Sequence, residues 1–281
     1  MDESITYFEQ RNKGDFMDNQ KSTLPKTAVQ KILRAIREFQ LIDPGDRVLV
    51  GFSGGKDSAF LLYALSILKK HRIIPFELGA LTIDLGFEGD FDFQSLSEFC
   101  QFLDVPFQIM KTEIAKYAFS ESNPESPCAT CSFLRRGAMN RFAKNNNYNR
   151  VALAHHYDDA VETFLMSILY SGQIKTFLPR TDLQRAGLTS IRPLVYFRES
   201  EIIEMLPLTH FKPVPAPCGV AGHTQRAATK NLIRSLCQNN GAVFHHLASA
   251  MRSGKPQELW PAAMEHDPIR KFSKKENRHA P

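Results

Sequence analysis

Ser53-Gly54-Gly55-Lys56-Asp57-Ser58 groups two glycines, a lysine, an aspartate and two hydroxyls. Glycines let backbone N–H groups close on an oxyanion, and a helix beginning there adds favourable potential. Lys56 and Ser58 supply further donors, so the run suits a pyrophosphate group. It is not the P-loop pattern GxxxxGK[ST], because Asp57 stands between the lysine and the serine.

Cysteines form a second constellation. Cys128 and Cys131 stand in "SPCATCSFLRRG", just ahead of a helical run, and Cys218 follows 87 residues later in "APCGVAG". Thiolates opening a helix gain from its dipole and from Arg135 and Arg136. Both arginines could instead pair with surface carboxylates, or one of them, Arg135, could place a cation where chemistry at the thiols develops negative charge. Three thiolates could hold three irons of a [4Fe–4S] cube and leave the fourth open. A zinc site completed by His210 or His223, or a CxxC redox pair, meets the same spacing. Cys100 and Cys237 lie in apolar helical patterns and read as buried thiols. With five cysteines, one close pair and a polar N-terminus, the chain reads as cytoplasmic, with no membrane span or signal peptide.

A third run, "ALAHHYDDAVETF", sets His155, His156, Asp158 and Asp159 between a strand and a helix. Either aspartate could cap that helix, or one could bind a cation or assist proton transfer. Charge is uneven: residues 211–281 carry eleven Lys or Arg against four Asp or Glu. This excess favours a polyanionic partner, the alternative being a solvated basic tail; Lys212, Arg226, Lys230 and Arg234 could grip the phosphates of an RNA, or be merely solvated, with Phe211 as a stacking surface.

The elements that must position these residues alternate. Apolar residues Val29, Ile32, Leu33, Ile36 and Phe39 mark a first helix. Then "RVLVGF", "FELGALTID", "VPFQIM" and "RVALAH" read as strands, each followed by a helical run, and "IRPLVYFRESEIIEML" as a last strand and helix. This predicts an α/β fold with a doubly wound parallel sheet and ligands at the strands' carboxyl ends. The expected organisation is a flexible arm over 1–24, a nucleotide domain over 25–210, a basic helical segment over 211–265 and a disordered basic tail over 266–281.

SGGKDS after a first strand resembles the signature of the PP-loop ATP pyrophosphatases. With "PCATCSFLRRG", "ALAHHYDDAVETFLMSILYSG" and "IRPLVYFRESEI" in order, residues 27 to about 235 resemble the iron–sulfur tRNA 2-thiocytidine synthetase family. The resemblance implies ATP cleavage between the α- and β-phosphates, with Ser53, Gly54, Gly55, Lys56, Asp57 and Ser58 on the phosphates. Asp57 and Asp159 would lie near Mg2+, Asp84 near the nucleoside or metal, and His156 would match the family's histidine. Ala154 stands where the family usually has Gly. Cys128, Cys131 and Cys218 would ligate a [4Fe–4S] cluster carrying sulfur to an adenylated cytidine at position 32 of tRNA. A cysteine desulfurase as sulfur donor and a homodimer are also implied. The chain departs from the family at Ala221, where a second late cysteine is common. The rival expectations are a PP-loop ligase with structural zinc and a non-catalytic tRNA- or ATP-binding protein.

Overall fold

The computed structural model describes residues 23–89, 91–215, 217–218 and 225–252. The arm expected over 1–24, except its last two residues, and the tail expected over 266–281 lie outside the described residues. The chain divides into two compact units, Met1–Met251 and Arg252–Pro281, and the fold below is that of the first.

Strand β1 (Arg47–Gly51) is apolar at consecutive positions because both its faces are covered. Val48 and Val50 enter a core with α1 (Lys26–Phe39) and α2 (Lys56–Lys70), whereas Leu49 points to the other face, against Met139 and Ala143 of α5 (Pro127–Asn145). Every residue of α2 from Ser58 to Leu68 is buried, which explains why this helix shows no polar stripe.

The sheet also contains β2 (Glu77–Asp84), β3 (Phe107–Lys111), β4 (Arg150–Ala152), β5 (Arg180–Leu183) and β6 (Leu188–Ile191), in the order β3-β2-β1-β4-β6-β5. All pairings are parallel except β5 with β6. From β1 the chain winds outward through α3 (Phe93–Phe102) and α4 (Ile114–Ala118), then returns through α5 to β4 on the opposite side of β1. The strand order therefore reverses between β1 and β4, where Val50 pairs with Ala152, and doubly wound sheets open their ligand crevice at such a point.

Two elements differ from expectation. The last parallel strand ends at Ile191 and does not run through "IRPLVYF": Pro193 has no N–H for a ladder, and residues 192–197 turn instead. Its antiparallel partner β5 was not foreseen. The remaining helices are α6 (Tyr157–Ser171), α7 (Glu199–Met205), α8 (Gln225–Asn239) and α9 (Val243–Ala250). The last two pack on α6 through Val161, Ile233, Phe244 and Ala248. No helix among the described residues is long and apolar enough to cross a membrane.

Candidate active site

The loop after β1 is built by backbone rules before any ligand is considered. Phe52 still pairs with β2, its N–H bonding to the Leu81 carbonyl and its carbonyl accepting from the Thr82 hydroxyl. At Gly54 the chain adopts φ +78°, a left-handed conformation that glycine takes without strain, and a Cβ there would stand 3.2 Å from Leu96. Gly55 opens α2, and Ser58 returns its hydroxyl to the Gly55 carbonyl (2.9 Å) while accepting from the Ser53 N–H (3.2 Å). The hydroxyls of Ser53 and Ser58 are 3.1 Å apart. The loop thus stands at the N-terminus of α2, where the helix's unpaired N–H groups favour an anion.

Lys56 at the start of α2 reaches Asp57 (2.9 Å) and Glu199 (3.0 Å). Burial alone would lower its pKa, but these two carboxylates outweigh burial and raise it. Glu199 also accepts from Lys230. Burial pulls its carboxyl upward, yet the hydrogen bonds from Lys230 and Lys56 prevail and hold it at about 2.

Across the crevice, β4 delivers His156, which is 4 % exposed. Its Nδ1 accepts from the Asp159 N–H (3.3 Å) and its own N–H donates to Asp159 Oδ2 (3.0 Å), closing a capping box on α6. The cap is thus His156 and not Asp158 or Asp159. His156 Nε2 lies 3.5 Å from Asp159 and 3.8 Å from Asp57, so the loops after β1 and β4 bring two carboxylates to one buried ring. Asp158 serves structure: Arg198 binds it through two nitrogens (2.9 and 3.1 Å), and the Glu199 N–H donates to it (2.8 Å).

The cysteines follow from α5. Ser126 caps this helix and Pro127 starts it, so Cys128 and Cys131 lie within its first turns, not ahead of them. Burial raises the Cys131 thiol; Arg135 opposes that rise, while Cys218 and Cys128 are close enough to add to it. Burial therefore outweighs the arginine at Cys131, contrary to the expected stabilisation of its thiolate. Cys131 is within electrostatic reach of both Cys128 and Cys218, with exposed Arg135 also beside it. Among the described residues, no three His, Cys, Asp or Glu side chains converge as ligands of one ion. His210 is exposed and stands edge-on to Phe102; His223 lies outside the described residues, as does Ala221.

The chain just before Cys218 touches the nucleotide loop. The Val214 N–H donates to the Gly54 carbonyl at 2.9 Å, and the Val214 side chain is 3.4 Å from the position of a Gly54 Cβ. Cys218 follows four residues later.

Asp84, at the carboxyl end of β2, accepts from the Gly86 N–H (3.0 Å) and closes a turn in which Gly86 has φ +76°. Other expectations change. Phe211 is buried against Phe99 and Phe52 (4.6 and 5.5 Å between ring centres), so it offers no base a stacking face. Arg226 and Lys230 do not face solvent alone: Arg226 binds Asp159 (3.0 Å), Glu162 (3.2 Å) and Thr163 (3.2 Å). Cys100 is buried, its thiol pushed up to about 12, whereas Cys237 is only half-buried. Glu199 escaped the sequence reading because only the turn after β6 brings it to Lys56; its place straight after Arg198 at a helix start was the available signal.

Residues 25–215 match the family model described as a PP-loop domain. The chain belongs to the PP-loop family. Within that family it is 35% identical over 246 residues to a tRNA-cytidine(32) 2-sulfurtransferase of Legionella pneumophila, covering 86% of each chain. It is also 35% identical over 248 residues to the protein of that name from Geobacter sulfurreducens, covering 87% of this chain and 95% of the other. The U34-tRNA thiolase NcsA from Methanococcus maripaludis, solved with its [4Fe–4S] cluster, shares the PP-loop fold with a TM-score of 0.66 at 20% identity, over 86% of both chains.

Proposed function

We propose that the protein is an ATP-dependent tRNA sulfurtransferase that replaces the C2 oxygen of a cytidine with sulfur. The observation that carries this reading is the Val214–Gly54 hydrogen bond, which ties the segment leading to Cys218 to the phosphate loop. The PP-loop family and the names of the 35%-identical relatives supply the substrate class.

In this reading the amides of the loop, Lys56 and Ser58 hold the β- and γ-phosphates, and Asp57 and Asp159 would hold Mg2+, which would neutralise phosphate charge when bound. His156 keeps Asp159 oriented through the capping box. The cytidine carbonyl oxygen attacks the α-phosphorus and pyrophosphate leaves, forming an AMP ester. A sulfur nucleophile then adds at C2, and AMP departs with the oxygen. Arg135, beside Cys131, offers its charge to the sulfur and to departing AMP.

Cys131 lies within electrostatic reach of both Cys128 and Cys218, and three thiols are the donor set of a [4Fe–4S] cluster with one iron open to sulfur. Cys128, Cys131 and Cys218 would hold it, and its chemistry when bound would be to carry sulfur at that iron. A cysteine desulfurase as the sulfur's source, a second copy of the chain and a cytoplasmic setting complete the proposal. Anaerobic purification tests the ligand set: iron and acid-labile sulfide near four each per chain support it, and stoichiometric zinc without iron contradicts it.

A further inference from the structure

Helix α8 begins seven residues after Cys218, and the basic residues on its first turns face acids, although residues 211–252 contain five Lys or Arg and no Asp or Glu. Arg226 and Lys230, one helical turn apart, share a face. Arg226 binds Asp159, whose other oxygen meets the His156 N–H, and Lys230 binds Glu199, whose other oxygen meets Lys56. The first contact ends on Asp159, assigned above to Mg2+, and the second reaches Lys56, assigned above to the phosphates, through Glu199.

Glu199 is only 22 % exposed and lies between two ammonium groups. When a triphosphate draws Lys56 away, a carboxylate without another partner would be left beside incoming negative charge. That would cost affinity, both by repulsion and by leaving a half-buried anion unpaired. A second lysine on the same carboxylate removes that cost.

We infer that Lys230 belongs to the ATP site: it neutralises Glu199 so that Lys56 can turn to the phosphates, and α8 is a wall of the nucleotide site. Lys230 is a positioning residue, acting on Lys56 through Glu199. This rests on the reading of Ser53–Ser58 as an ATP loop and goes beyond it in giving a cation of the helix after Cys218 a nucleotide role. The ordinary use of a lysine on a basic helix, gripping an RNA phosphate, gives opposite results.

The test measures, in the full chain, affinity for α,β-methylene ATP with magnesium and, separately, for bulk tRNA without nucleotide. Lys230→Met is expected to weaken the ATP analogue about tenfold, or about 1.4 kcal/mol, and to leave tRNA binding in place. Adding Glu199→Gln should restore most of that loss, because the unpaired carboxylate is gone. The inference is overturned if Lys230→Met leaves analogue affinity unchanged, whether or not tRNA binding falls with a salt slope reduced by about one. It is also overturned if Glu199→Gln restores nothing. Should Glu199→Gln fail to fold, Lys230→Arg replaces it as the second variant, and analogue affinity that is not recovered by the retained charge overturns the inference. Lys56→Ala separates the two levels: undiminished analogue affinity there refutes the ATP loop itself, whereas a loss there with none in Lys230→Met refutes only the role of Lys230.

Discussion

At the residue scale the account turns on thiols and carboxylates whose neighbours set their behaviour. Cys218→Ala should abolish thiolation while the protein still binds ATP, because the Val214–Gly54 hydrogen bond uses only backbone; nucleoside analysis and analogue binding check the two halves. Asp159→Asn should slow pyrophosphate release roughly a hundredfold or more. Its amide oxygen can still accept from the His156 N–H, but its NH2 then meets Arg226 donor to donor, so the thermal midpoint should also fall with the lost Arg226 contact. His155 gives a pH test. Burial, followed by the nearby guanidiniums of Arg192 and Arg226, outweighs attraction by Asp159 and lowers this imidazole to about 4. A His lowered on folding takes its proton first in the unfolded chain, so stability should fall as pH drops from about 6.5 towards 4, by at most about 1.4 kcal/mol per unit. Chemical denaturation of His155→Phe across that range should lack this part of the slope. Residue types singled out Asp57, His156 and Asp159, and the fold brings both carboxylates to the His156 ring. Glu199 and Arg226 were not legible as site residues, because their partners stand far away in sequence.

At the element scale, alternating apolar runs fixed the parallel part of the sheet. The β5–β6 hairpin was hidden because β5, "RTDL", is polar and only half-buried, so it lacks the apolar signature of the central strands. The glycine loop was legible because its torsion demand is written in residue type. Gly54→Ala should therefore weaken ATP binding and cost about 1–3 kcal/mol, since alanine must accept φ +78° and press on Leu96 and Val214; urea unfolding and analogue titration measure both effects. Helix α8 was expected from sequence, but its direction was not. A periodic basic pattern identifies a helix without revealing that two of its cations are paired across the crevice with Asp159 and Glu199.

At the scale of the whole molecule, the sheet sets the phosphate loop, the paired carboxylates and the segment leading to Cys218 around one strand-order reversal. Positive charge is concentrated after residue 210, yet Arg226 and Lys230 are committed to the crevice; Lys212 and Arg234 remain exposed candidates for RNA. Lys212→Ala with Arg234→Ala should lower tRNA affinity and flatten its salt dependence by up to about two in slope, with the ATP analogue bound as before; titrations at several salt concentrations decide this. Sulfur transfer coupled to ATP cleavage is measured by incubating cluster-reconstituted protein, Mg–ATP, a sulfide source and tRNA anaerobically and counting AMP and thionucleosides together by mass spectrometry. The account predicts 2-thiocytidine and AMP appearing in equal amounts, and neither without ATP. AMP formation without any thionucleoside, or 2-thiocytidine formed without ATP cleavage, would contradict it.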